Sequence, residues 1–269
     1  MKKTNPLPES SILSVEKLTK RFGGLLALED VSFSIKPRHI VSLIGPNGAG
    51  KTTLFNCLTG LMKSETGSMG FGASSTLLGR LDPHEITKIG IARTFQTIRL
   101  FKHMSVLENV LVGAHSIARA GLWGALLKSR WVELEEKKLL AHARRLLSFF
   151  GLSSKSQELA RNLSYGHQRK LEIARALASK PKLLLLDEPA AGMNPKEKEE
   201  LLALIRSIRD QGITVLLIEH DMKVVMPISD QVVVLDHGKK IADGTSKEVQ
   251  NNPRVIEAYL GKGFHRSEK

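Results

Sequence analysis

The run IVSLIG at residues 40–45 is apolar at successive positions rather than alternate ones, and it ends on glycine. A strand buried on both faces reads this way, which is the pattern of a parallel sheet. Two further runs repeat it, KLLLLDE at 182–188 and ITVLLIEH at 213–220. Residues 195–210 between them read as a helix, and another helix is predicted to open near Lys51. Strands alternating with helices imply an α/β fold around a parallel sheet. Residues 12–35 behave differently. Apolar and polar positions alternate around KRFGG, which predicts short, half-exposed antiparallel strands. From about 105 to 150 the chain reads as mainly helical, an insertion into the α/β pattern. There Leu139, Ala143, Leu146, Leu147 and Phe150 share one helical face, and Gly151 supplies the stop. The stretch NLSYGHQRKLEIARAL, 162–177, predicts a helix entered through Ser164 and Gly166 and packed through Leu171, Ile173, Ala174 and Leu177. The closing GKGFHRSEK is polar and basic and reads as loose.

Composition changes this picture little and charge changes it more. With 269 residues, 42% hydrophobic and 25% charged, the chain has the makings of a soluble globular protein with a sizeable core. Its formal charge of +13 points to nucleic acid, anionic lipid or a phosphorylated ligand, against the plainer reading of a solvated basic surface. The single cysteine, Cys57, lies in the apolar helix LFNCLTGL and reads as core, in keeping with a reducing compartment. The N-terminus starts basic but runs into Pro6, Pro8 and Glu9, so no signal peptide is expected. No uncharged apolar stretch approaches the roughly 20 residues that span a bilayer. The expected place is the cytoplasm, with any membrane association made through other proteins.

The chemistry begins at GPNGAGKTT, residues 45–53, which fits the Walker A pattern and sits between an apolar strand and a helix. Gly45, Gly48 and Gly50 let the backbone wrap phosphates, with Pro46, Asn47, Ala49 and Thr53 completing the loop. Lys51 places a cation on the β- and γ-phosphates, and Thr52 offers a hydroxyl to Mg²⁺. Asp187 and Glu188 end an apolar strand, on the edge where α/β sheets bind ligands. Asp187 is placed to hold Mg²⁺ through water, and Glu188 to polarise a water for in-line attack. His220, ending the next buried run, is a candidate sensor of the γ-phosphate. Gln96, in RTFQTIRLF, taken alone is a loop glutamine. The helix entrance at Ser164 and Gly166 is a second place to hold an anion.

Walker A, then TFQ, LSYGHQRKLEIARAL, LLLLDEP and IEHD, in this order and spacing, resembles the ATP-binding subunits of ABC transporters over nearly the whole chain. The resemblance implies a P-loop NTPase of the ABC ATPase fold, with a parallel-sheet core, an antiparallel β subdomain and a helical insertion. It implies one ABC domain over 1–269: an ATPase core at about 12–95 and 161–250, a helical region at about 96–160, and a C-terminal segment at 251–269. It implies ATP and Mg²⁺ as cofactors and a head-to-tail ATPase pair, each ATP held between one subunit's Walker A loop and the other's signature, here residues 163–167. Phe22 would stack on adenine and Gln96 would contact Mg²⁺. The chain departs from the family at Tyr165, His167 and Asn194. Tyr165 and Asn194 resemble the branched-chain amino acid importer group; His167 departs even from that. RFGGLLA, FNCLTG, LLIEHDMK and AYLG resemble its LivG-type subunits. The implied partners are a second, LivF-like ATPase or a second copy of the chain, two permease subunits and a periplasmic binding protein, with no nucleic acid. The implied place is the cytoplasmic side of the inner membrane. The alternatives are an ATPase of another ABC system, for urea, amide or lipopolysaccharide, or a soluble ABC ATPase acting on nucleic acid. The last would carry tandem cassettes or a long coiled coil, and one Walker A and one signature are present.

Overall fold

A computed structural model describes residues 11–73, 75–117 and 130–260. The chain opens with β1 (Leu13–Phe22) and β2 (Leu25–Ile35), antiparallel and joined through Gly23 and Gly24. These strands are long, not short, at 10 and 11 residues, and they are less exposed than the alternation predicts. Leu13, Val15, Leu18, Leu28, Val31, Phe33 and Ile35 are all buried. The alternation names the inward face correctly, but that face packs on the helix after β3, and register shifts at Leu18 and Lys20 let the ribbon bend over it.

β3 (Ile40–Ile44) leads through the glycine-rich loop into α1 (Lys51–Leu58). β4 (Thr66–Phe71) and β5 (Thr76–Leu77) complete a four-stranded antiparallel sheet of order β2-β1-β4-β5. α2 (Pro83–Ile89) starts on an Asp82/Glu85 capping box and is followed by β6 (Ile91–Arg93). The helical stretch holds α3 (Val106–Ala114) and α4 (Arg130–Phe149), followed by α5 (Tyr165–Leu177). After β7 (Leu183–Asp187) come α6 (Pro195–Asp210), β8 (Thr214–Ile218), α7 (Met222–Val225), the hairpin β9 (Gln231–Asp236) and β10 (Lys239–Gly244), α8 (Ser246–Gln250) and α9 (Pro253–Leu260). The segment at 118–129 and the basic tail lie outside the described residues.

The second sheet runs β10-β9-β3-β8-β7-β6, parallel except for the edge strand β10. Its strands explain the unbroken apolar runs. Leu184 and Leu186 join one core with α3, α5 and α6, whereas Leu183 and Leu185 join another with α1 and the antiparallel sheet. Val215 and Leu217 face the first core, Leu216 and Ile218 the second. Successive side chains point to opposite faces and both faces are covered, so nearly every position is apolar, with Ser42, Asp187 and Thr214 the buried polar exceptions in β3, β7 and β8. Each fully buried leucine contributes about 1.5–3 kcal/mol. Cys57 is buried in the second core, and burial pushes its thiol up to about 11, which suits an inert core residue. On the helical side Ala143, Leu147 and Phe150 are buried, and Gly151 ends the face with φ 68. Asn194 caps α6, its side chain accepting from the Glu197 N–H, so it does there the work an aspartate would do.

Candidate functional site

The glycine-rich loop leaves the carboxyl end of β3 and turns at once into α1. Gly50 immediately precedes the helix with φ 99, and a Cβ there would stand 2.5 Å from the Ala27 carbonyl oxygen. Only glycine tolerates both the angle and the approach. Gly50→Ala is therefore expected to destabilise the protein by at least about 1 kcal/mol and to weaken nucleotide binding. A thermal melt with and without ATP checks both. Lys51 is buried, and its Nζ donates to the Gly45 and Pro46 carbonyls at 2.6 and 2.9 Å, closing the loop around its own lysine. Burial holds the Lys51 ammonium below its usual range, and the Glu188 and Asp187 carboxylates oppose that shift.

A cavity of about 450 Å³ opens over this loop, lined by Phe22, Asn47, Gly48, Ala49, Gly50, Lys51, Thr52, Thr53, Gln96 and Glu188 among others. The sequence-predicted residues of four separate segments, Phe22, the loop at 47–53, Gln96 and Glu188, thus meet in one cleft. Phe22 lies at the end of β1 and is 45% exposed, which makes it an open ring rather than core. Gly45 and Pro46 stand behind the lining, against the lysine.

Asp187 and Glu188 are adjacent in sequence but differ in setting. Asp187 is buried at the end of β7, its Oδ2 2.8 Å from an Arg93 guanidinium nitrogen, and its N–H donates to the Thr94 hydroxyl. Glu188 turns outward through a left-handed backbone, φ 46, strained for a residue with a side chain. Its Oε2 accepts from Gln96 Nε2 at 3.2 Å and lies 3.7 Å from His220 Nδ1. His220 is exposed and reaches the cleft through Glu188. Ser164 and Gly166 are not part of this lining. Ser164 caps α5, accepting from the His167 N–H, while Gly166 is buried against Glu197 of α6.

Three residues that sequence reasoning passed over hold the site together. Arg93 pins Asp187 and Asn56 and lies over the Phe55 and Phe95 rings. Arg169 is fully buried, donating to the Phe95 and Gln96 carbonyls and pairing with Glu172. Glu219, also buried, accepts from the N–H groups of Ala190 and His220, and burial raises its carboxyl above the usual range. The signal was available for Arg169: Gly166, Arg169, Ile173 and Leu177 share one inward helical stripe, so a charge there demands partners.

The ABC transporter family model matches residues 28–191, well over half the chain. This protein is a member of the ABC transporter family. A second model, described as a branched-chain amino acid ATP-binding cassette transporter, matches 239–265 at the C-terminal end. The chain is 49% identical to the high-affinity branched-chain amino acid transport ATP-binding protein LivG of Salmonella typhimurium, over 93% of this chain and 98% of that one. Among solved structures it is similar to the ADP conformation of an ATP-binding cassette of an ABC transporter, with TM-score 0.81 and 35% identity over 94% of this chain and 99% of that one. It is also similar to an ATP-binding cassette solved as a dimer in a post-hydrolysis state with ADP and Pi, with TM-score 0.72 and 27% identity over 87% and 98%. This ABC protein thus has the fold that its motifs imply: a P-loop α/β core, an antiparallel sheet and a helical insertion.

Proposed function

We propose that this ABC subunit binds and hydrolyses ATP to drive an importer of branched-chain amino acids, working as one half of a head-to-tail ATPase pair. The observation that carries the pairing is the separation of the two anion sites. Lys51, Gln96 and Glu188 line one cleft, and the capped helix entrance at Ser164 and Gly166 lies outside it. Free N–H groups and the positive end of a 13-residue helix suit a phosphate. If this chain's own nucleotide occupies the first site, the second serves the nucleotide of a companion. The companion is a LivF-like ATPase or a second copy.

The donor set fits a magnesium nucleotide. Phe22 offers an open ring to the base, the loop N–H groups and Lys51 take the phosphates, and Thr52, Gln96 and Asp187 offer oxygens to the ion. Among the described residues no group of three or more His, Cys, Asp or Glu gathers to hold a metal unaided. An Mg²⁺ here would complete its shell with phosphate and water, its usual habit. The ion would neutralise phosphate charge; Glu188 would orient and deprotonate the attacking water.

A second opening, of about 470 Å³, lies beside the helical region and is lined by Phe95, Arg99, Phe101, Val112, Glu172 and Arg175 among others. Phe101 and Val112 are exposed there, and the Gln96 loop runs past it. This suits docking of the two permease subunits, which would place the chain on the cytoplasmic face of the inner membrane; a periplasmic binding protein would deliver the solute. No helix among the described residues is long and apolar enough to cross a membrane.

Purifying the complex from membranes through a tagged chain and assaying which amino acid stimulates its ATPase tests the whole reading. Stimulation by leucine, isoleucine or valine is expected; stimulation by an unrelated solute alone would overturn the solute assignment. Ser164→Arg tests the pairing. It is expected to lower hydrolysis at the partner's site by about 10²-fold, the scale of one lost transition-state donor. Damage confined to this chain's own Walker A site, read by subunit-specific nucleotide crosslinking and single-site turnover, would contradict the arrangement.

A further inference from the structure

The signature departs from its family at His167, and the structure shows what the histidine touches. His167 Nδ1 lies 3.0 Å from the Ser164 hydroxyl oxygen, which also accepts from the His167 N–H. The hydroxyl has one hydrogen, and its direction decides what Ser164 offers a phosphate. With Nδ1 bare, the hydroxyl donates to the ring and turns lone pairs toward an incoming anion. With Nδ1 protonated, the ring donates to the hydroxyl oxygen and frees the Ser164 O–H to donate outward. The imidazolium also brings a positive charge to the anion site.

We propose that His167 is a positioning residue that sets the direction of the Ser164 hydroxyl, so that its protonation couples pH to closure of the ATPase pair. This rests on the head-to-tail reading above. A phosphate arriving at Ser164 favours a ring that donates from Nδ1, and of the two such forms, the neutral Nδ1–H tautomer and the imidazolium, its negative charge favours the imidazolium, so closure takes up a proton and more acid conditions tighten the pair. The charged groups around the ring are few. On its own helix Lys170 is tied to Glu200 of α6 at 2.9 Å. Glu200 also feels Lys196 and His167 electrostatically, and Glu197 sits against Gly166. His167 is half-buried. A glutamine at this position, as most of the family has, cannot change charge.

The test uses the full chain carrying Glu188→Gln, with the companion ATPase wherever one co-purifies, and measures ATP-driven association by analytical ultracentrifugation between about pH 6 and about pH 8. The same is done with His167→Gln added. Association of the first protein should tighten about tenfold toward the acid end, the sign expected of a closure that takes up a proton. The second should stay flat within about twofold. The same slope in both proteins would overturn the role of His167, because every other titrating group, His220 included, is common to them. Absence of ATP-driven association at every pH in both would instead overturn the head-to-tail reading. Should His167→Gln lose its circular dichroism signal, calorimetry of ATP binding to the first protein in buffers of different ionisation enthalpy decides. Net proton uptake supports the proposal, and its absence refutes it.

Discussion

Glu188→Gln is expected to leave ATP binding intact while turnover falls about 10²–10⁴-fold, the contribution of a positioned general base. The geometry isolates that function. Glu188 makes no contact that holds the phosphate loop, which is closed by Lys51 on the Gly45 and Pro46 carbonyls. Its carboxylate instead gathers Gln96 at 3.2 Å and His220 at 3.7 Å, on a backbone forced to φ 46. A strained backbone that aims a carboxylate into a cleft is the kind of outlier from which a functional role is inferred. Glutamine keeps the size and one acceptor, so the loop should not move. Removing one negative charge near Lys51 should, if anything, favour an anionic ligand. With hydrolysis stopped, ATP remains between the two subunits and the pair should persist, because only cleavage removes the ligand that favours the closed state. Steady-state phosphate release, nucleotide affinity and sedimentation in ATP check the three parts. Turnover within about threefold of the natural protein would transfer the base role away from Glu188. Buried Glu219, committed to the Ala190 and His220 N–H groups, is poorly placed to inherit it.

Much of this arrangement was legible in the residues, and the exceptions have physical causes. The buried strands could be read because both faces of the parallel sheet are covered, which leaves unbroken runs such as Leu183–Asp187. Helix α6 could be read to its ends because Pro195 and an Asn194/Glu197 capping box mark its start. The phosphate loop was fixed by spacing alone. Strands β4, β5, β6, β9 and β10 were not anticipated. β5 and β6 are two and three residues long, and β4 carries two glycines in six positions. Such segments gain their structure from pairing, β4 with β1, β5 with β4 and β6 with β7, rather than from their own pattern. β9 is a four-residue apolar run, but its antiparallel partner β10 has little apolar character to announce a hairpin. In the site, the loop at 47–53, Gln96 and Glu188 announced themselves by motif, whereas Leu25, Leu26, Ala27 and His237 line the same cleft with no motif to mark them, and Arg93, Arg169 and Glu219 act by holding others. Their partners lie far off in the chain, and a sequence gives no distance between Arg93 and Asp187.

Arg169 is where that hidden layer can be tested with a large effect. Its guanidinium is wholly buried and joins the signature helix to the loop that carries Gln96: it donates to Phe95 and Gln96 carbonyls at 2.8 and 2.9 Å, to Glu172 at 2.8 Å and to the Tyr165 hydroxyl at 3.2 Å. Glu172 in turn accepts from the Arg99 N–H, so both ends of the loop are fastened to one ion pair. Arg169→Met should cost about 3–5 kcal/mol, since it leaves Glu172 as an uncompensated buried charge. For a chain of this size that is a fall in Tm on the order of 10 °C. Replacing both members, Arg169→Met with Glu172→Met, removes the stranded charge and should recover most of the stability. The two losses should then separate. The double variant should melt near the natural protein yet hydrolyse ATP at least about tenfold more slowly. Gln96 is no longer fixed to the helix whose entrance, in the proposed pair, would face the partner's nucleotide, and a small misplacement of a positioning group carries a cost of that order or more. A double variant that recovers hydrolysis together with stability would show that the buried pair serves the fold alone. Recovered melting with lasting loss of turnover would make Arg169 the mechanical link between the cleft that holds Gln96 and the helix entrance at Ser164 that, in the proposed pair, this chain would present to its companion.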